Sequence, residues 1–166
     1  MMEKTPYGSN DVITKALEQY ADMVRRICFM YLRNEADVQD VFQEVFLALF
    51  VHGPGFESEE HQKAWLCRVS INKCKDVCKS FFRRRVSSLD EMELPFEDPQ
   101  ESEVMAAVLA LPPQYKDVIY LFYYEDYTVP QIADLLHTKE STLYSKLHRA
   151  RALLKQALGG SYENFD

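Results

Sequence analysis

LPPQYKDVIYLFYYEDYTVPQIADLLHTKESTLYSKLHRARALL, residues Leu111 to Leu154, contains two short helices joined by a tight turn, the second of them basic. Thr128 followed by Gln131 has capping-box spacing, which lets each side chain satisfy a backbone N–H left unpaired at a helix start. Pro130 falls in the first turn, where a missing N–H costs little. Ile132, Leu135 and Leu136 make a short apolar face. After a break at His137 and Thr138, Leu143, Leu147, Ala150 and Leu154 recur at helical spacing, with Lys139, Lys146, Arg149, Arg151 and Lys155 around them. A tight helix–turn–helix whose second helix carries cations has the geometry of a DNA major-groove reader.

Charge is distributed unevenly around that motif. The chain carries 19 basic and 26 acidic residues, a net charge of −7. Eight basic residues and one acid lie between Lys63 and Arg85, and five basic residues and one acid between Lys139 and Gln156. The two segments hold +7 and +4, so the remainder of the chain holds −18. Two separate cationic segments in an anionic chain suggest two contact surfaces for a polyanion.

The rest of the 166 residues reads as helix. Hydrophobic residues make up 47% of the chain, enough for a core, while five glycines and no sustained alternation argue for an all-α fold. Periodicity predicts a first helix near Val12 to Leu32, with Leu17, Tyr20, Val24, Ile27, Cys28 and Tyr31 inward. Asn34 is positioned to cap a second helix, Glu35 to Phe50, burying Val38, Val41, Phe42, Val45 and Leu49. A polar connection follows, and a third helix is expected from about Gln62 to Phe82. The expected organisation is two small helical domains, 11–85 and 103–158, joined by a flexible acidic linker over 86–102, with a tail at 159–166. The linker, VSSLDEMELPFEDPQES, holds two prolines, six acids and no base.

Several functions find no support. The N-terminus lacks a signal-peptide pattern and no apolar run approaches the ~20 residues that span a bilayer, so a cytoplasmic protein without membrane insertion is expected. Cys28, Cys67, Cys74 and Cys78 lack paired metal-ligand spacing; three of them share a helix face with Ile71, as small buried hydrophobes would. No metal or cofactor is expected. No glycine-rich phosphate loop and no Ser/His/Asp set is present, so the chain is not read as an enzyme.

Three segments in this order, DVQDVFQEVFLALF (Asp37 to Phe50), AWLCRVSINKCKD (Ala64 to Asp76) and LPPQYKDV with TLYSKLHRARALL, resemble the extracytoplasmic-function (ECF) sigma factors of bacterial RNA polymerase, compact members of the sigma-70 family. The resemblance covers roughly Tyr20 to Lys155. It implies a subunit that binds core RNA polymerase and directs promoter-specific initiation through the −10 and −35 elements. It implies that Asp40, Gln43 and Glu44, with Gln39 and Leu47 beside them, dock on the β′ clamp helices. It assigns −10 recognition to Phe56 and His61, in a loop from Phe56 to His61, and to Lys63, Arg68, Asn72, Lys73 and Lys75; Trp65 stands where the family has a core aromatic. The loop acids Glu57, Glu59 and Glu60 either read exocyclic amines or face solvent. It assigns −35 recognition to Lys139, Ser141, Thr142, Tyr144, Ser145, His148 and Arg149, with Lys146 available to phosphate.

Two departures stand out from the family pattern. His137 occupies a turn position usually held by glycine, so the backbone there either avoids positive φ or strains a larger residue. Tyr144 replaces a common Lys or Arg, which removes a cation and predicts weaker phosphate binding or an altered base preference. The acidic linker either mimics RNA phosphate along the polymerase's RNA path or serves as a tether, and it permits a compact or an extended domain arrangement. The resemblance also implies a monomer outside the holoenzyme and an anti-sigma factor as a further partner. The alternative function is a stand-alone helix–turn–helix regulator, which would act as a symmetric dimer.

Overall fold

The computed structural model describes residues 10–84 and 99–159, and among these every regular element is helical. The chain divides into two compact units, Met1–Met92 and Glu93–Asp166. Residues 86–98 of the acidic segment and the tail from 160 onward lie outside the described residues.

The first unit packs three helices against one another: α1 (Asn10–Tyr31), α2 (Glu35–His52) and α3 (Glu59–Arg84). Asn34 starts α2 as its sequence suggests, its Oδ1 accepting from the N–H groups of Ala36 and Asp37. Helix α1 buries Ala16, Tyr20, Met23, Val24, Ile27 and Cys28; Leu17, expected in that stripe, is half-buried. On α2 the register favours Phe46 over the expected Phe42. Phe46 is buried with Val38, Val41, Val45 and Leu49, whereas Phe42 is half-buried against Phe46 with the Arg25 guanidinium 4.7 Å above its ring.

Helices α1 and α3 run parallel along a seam of soft side chains. The Tyr20 hydroxyl donates to the Glu59 carbonyl at 3.4 Å, Cys67 Sγ lies 3.7 Å from Met23 Sδ, and Cys78 Sγ lies 3.5 Å from the Tyr31 carbonyl. The Cys74 thiol is hydrogen-bonded to that of Cys28; that bond and burial push it above its ordinary pKa, so it packs as a neutral thiol. Ser70, fully buried, satisfies its hydroxyl on the Leu66 carbonyl one turn back, at 2.6 Å.

Helix α3 begins three residues earlier than its periodicity suggests, so Glu59, Glu60 and His61 are helical rather than part of a loop. Ser58 is the cause. Its Oγ accepts from the His61 N–H at 3.1 Å and its carbonyl from the Gln62 N–H, while Glu59 and Glu60 place two anions in the first turn.

The second unit is built around its last helix. Helices α4 (Pro99–Leu109), α5 (Pro113–Ile119) and α6 (Val129–Leu136) all pack on α7 (Glu140–Leu158). Helix α4 starts at Pro99, inside the segment read as linker, because a proline is tolerated in a first helical turn. Helix α5 continues into a π-helical turn over Tyr120–Tyr124, where Tyr120 and Tyr124 stack at 5.6 Å and the Tyr120 hydroxyl donates to Glu125 Oε1 at 2.8 Å. The capping box forms as its spacing predicts: the Gln131 N–H donates to Thr128 Oγ1 at 3.3 Å and the Thr128 N–H to Gln131 Oε1 at 2.9 Å.

His137 takes the strained alternative. Its φ of 53° and ψ of 46° put it in the left-handed region, and Asp126 shares that region with a φ of 57°. A left-handed residue with a Cβ costs roughly 1–2 kcal/mol, part of which glycine returns through its freedom in the unfolded chain. His137→Gly is therefore expected to stabilise the protein by about 0.5–1 kcal/mol, read as a higher urea midpoint for the second unit at unchanged slope.

Candidate functional site

Helix α2 spends one side on the core and presents the other as a continuous polar face. Gln39, Asp40, Gln43 and Glu44 are exposed, and Leu47 is 63% exposed despite being leucine. Val51, one turn beyond Leu47, is 57% exposed and extends the face. Its apolar identity hid it from a sequence reading, although its i+4 relation to Leu47 was the available signal. Carboxylates and amides beside two unsheltered aliphatic side chains suit a partner that offers cations around an apolar strip.

On α3 the nucleic-acid candidates sort into a stripe and one exception. His61, Trp65, Arg68, Asn72 and Lys75 recur at alternating spacings of four and three residues, which keeps them on one side of a helix. Lys79, exposed and absent from the candidate set, continues the stripe by a further turn. Lys63 is half-buried near the start of the helix. Lys73 leaves the stripe: it lies about 140° around the helix from Arg68, and its Nζ sits 3.8 Å from Glu44 Oε2 on α2.

Rings gather at the head of the stripe. Phe56 stacks on His52 at 4.3 Å, with an interplanar angle of 10°. Trp65 meets both, at 5.1 Å from His52 and 5.6 Å from Phe56, and His61 meets the Phe56 edge at 5.4 Å. His61 Nδ1 also accepts from the Glu57 N–H at 3.1 Å, and His52 Nδ1 lies 2.9 Å from the Gly53 carbonyl. Trp65 is thus half-buried within the ring cluster. A stacked ring group leading into a row of cations suits single-stranded nucleic acid, whose bases stack on aromatic faces while its phosphates follow the charge.

On α7, Leu143, Leu147, Ala150, Leu154 and Leu158 are buried, and the opposite face carries Ser141, Thr142, Tyr144, Ser145, His148 and Arg149, all exposed. Lys139 is exposed at the N-cap, and Lys146 is half-buried on the flank. The Tyr144 ring stands 58% exposed. Arg151 turns away from this face: its Nε–H donates to the Tyr123 hydroxyl at 2.8 Å, and its guanidinium lies 5.4 Å from the Phe122 ring centre and 5.8 Å from that of Tyr123. That cation, counted by sequence among those surrounding the helix, anchors α7 to the π-helical turn instead.

Among the described residues no group of three or more His, Cys, Asp or Glu side chains is placed to hold a metal ion, and no helix is long and apolar enough to cross a membrane.

Known proteins share both units. The model of sigma-70 region 2 matches residues 16–86, and that of sigma-70 region 4 matches residues 101–154. The chain is 30% identical over 156 residues to the ECF RNA polymerase sigma factor SigL of Mycobacterium tuberculosis, covering 86% of this chain and 88% of that protein. It is 22% identical over 170 residues to SigW of Bacillus subtilis, covering 91% of each. It is 27% identical over 154 residues to SigE of Mycolicibacterium smegmatis, where the match covers 86% of this chain and 60% of the longer relative. Among solved structures, the fold is similar to that of the sigma factor RpoE from Bartonella quintana in complex with the anti-sigma factor NepR, with a TM-score of 0.75, 16% identity, and 90% and 98% of the two chains covered. It is also similar to CnrH in complex with the cytosolic domain of CnrY, with a TM-score of 0.65, 20% identity, and 93% and 92% covered.

Trp65 is the one tryptophan of the chain and reports directly on the ring cluster. Phe56→Ala should move its fluorescence emission to longer wavelength as water reaches the indole. The same change should lower stability by about 1 kcal/mol through the lost ring contacts.

Proposed function

The chain belongs to the extracytoplasmic-function sigma factors of the sigma-70 family, and from that membership we propose how its surfaces divide the work of initiation. It is a sigma factor, a subunit that binds core RNA polymerase and directs promoter-specific transcription. Catalysis stays with the polymerase. The reading assigns the outer face of α2, with Gln39, Asp40, Gln43, Glu44 and Leu47, to the polymerase clamp. It assigns the aromatic-to-cationic stripe of α3 to the opened −10 strand and the outer face of α7 to the −35 duplex.

The observation that carries the division is the exposure of that α2 face while the opposite side of the same helix is used up in the core. A stand-alone regulator would have no role for it. A carboxylate-bearing docking face meets arginine and lysine through charge-assisted hydrogen bonds, roughly twice as strong as neutral ones. The outer face of α7 recognises a duplex by phosphate contacts from Lys139 and Lys146 and by base-edge contacts from Arg149, His148 and the hydroxyl residues. Lacking a cation at Tyr144, this helix relies more on hydroxyl and apolar contacts than on charge. A net charge of −18 outside the two basic segments opposes approach of the free chain to DNA, so tight promoter binding waits for polymerase. One copy acts in the holoenzyme, in the cytoplasm, and an anti-sigma factor is the second class of partner, a kind of complex that the Bartonella quintana structural neighbour forms with NepR.

Run-off transcription tests the whole. Core polymerase supplied with this protein should initiate at promoters that core alone ignores, and Glu44→Arg should abolish both that activity and the pull-down of polymerase while leaving the helical circular-dichroism spectrum intact. Initiation by the Glu44→Arg protein at the wild-type rate would remove the α2 assignment. Arg149→Ala should cost about 1–3 kcal/mol in binding to −35 duplex by the holoenzyme and relax selectivity at one base position; an unchanged preference in a promoter library would remove that contact.

A further inference from the structure

Five positions separate Arg68 from Lys73, which puts their side chains about 140° apart around α3. Arg68, Asn72 and Lys75 can follow one strand together, and Lys73 cannot join them without leaving its own side of the helix. That side faces α2, where the Lys73 ammonium lies 3.8 Å from Glu44 Oε2; the lysine side chain is 33% exposed and the glutamate 59%. The lysine is thus partly sheltered in the cleft between two helices, and the carboxylate it meets points out to solvent.

We propose that Lys73 is a positioning residue of the polymerase-docking face rather than a promoter contact: from α3 it holds the Glu44 carboxylate of α2 in the direction from which a partner cation reaches it. The inference rests on the assignment of the α2 face to polymerase. A glutamate on a solvated helix face samples several rotamers, and each rotamer frozen on binding subtracts from affinity. An ammonium group beside one carboxylate oxygen narrows that choice beforehand. Its single charge leaves the other oxygen and most lone pairs open to an incoming arginine. The Lys73–Glu44 pair is solvent-exposed enough that its strength falls with salt.

Affinity of the full-length protein for core polymerase, measured by fluorescence anisotropy at low and at high salt, tests this together with binding of the preformed holoenzyme to a −10 fork-junction DNA. Lys73→Gln should weaken core binding about two- to fivefold at low salt, the range expected of an exposed ion pair, with the difference shrinking at high salt. Lys73→Arg should restore it. In a Glu44→Gln background the Lys73→Gln change should have no further effect, a result that a general loss of stability would not produce. Fork-junction binding should stay at the wild-type level. Unchanged core affinity for Lys73→Gln, or a loss confined to fork-junction DNA, would overturn the proposal and return Lys73 to the promoter strand. Asp40→Ala, run alongside, separates the two ideas: if it binds core as well as wild type, the docking face itself is misassigned, whereas if it binds poorly and Lys73→Gln binds normally, only the positioning role fails.

Discussion

Along the seam between α1 and α3, Tyr20 meets Glu59, Met23 meets Cys67, Cys28 meets Cys74 and Tyr31 meets Cys78, in one parallel register. Sulfur enters three of these four contacts, and because it is polarizable and tolerant in shape it lets two long helices close around the buried Tyr20 and Tyr31. Closing that seam fixes which side of α3 is spent, and α2, laid across both helices, has its own buried side fixed in turn. The α2 polar face and the α3 stripe are what remain. Both surfaces are leftovers of a single packing decision, which is why a short chain can carry two of them in one unit.

The second unit solves a different problem, holding one helix with its outward face clean. Helix α7 is packed by three neighbours along a leucine row, and the Arg151 guanidinium adds a directional tie to Phe122 and Tyr123. The hydrogen bond fixes rotation about the helix axis, which burial of leucines, being non-directional, controls less well. The exposed row from Ser141 to Arg149 therefore keeps one orientation relative to its scaffold.

Much of this was legible before any coordinates. The capping box at Thr128, the cap at Asn34, the leucine row of α7 and the exposed side of α2 follow from spacing, because helix geometry converts three- and four-residue intervals into a common face. Membership of the family was legible too, from three segments in order. Other features required tertiary information. Phe42 and Phe46 are equally apolar and four residues apart, and only the position of α1 decides which is buried. Arg151 reads as one more cation until the rings of Phe122 and Tyr123 arrive beside it. The departure of Lys73 from its neighbours was implicit in its spacing but became meaningful only when Glu44 appeared opposite it. The early start of α3 was a missed signal: Ser58 before two glutamates is a helix-start pattern in its own right.

Two residues with side chains, Asp126 and His137, stand where the backbone turns left-handed, one on each side of α6. Each lifts the energy of the native state by roughly 1 kcal/mol, and every such increment multiplies the transiently open population by about five. Degradation that samples open molecules speeds up in proportion. Strain on both sides of one short helix thus trades stability of the second unit for a larger open population.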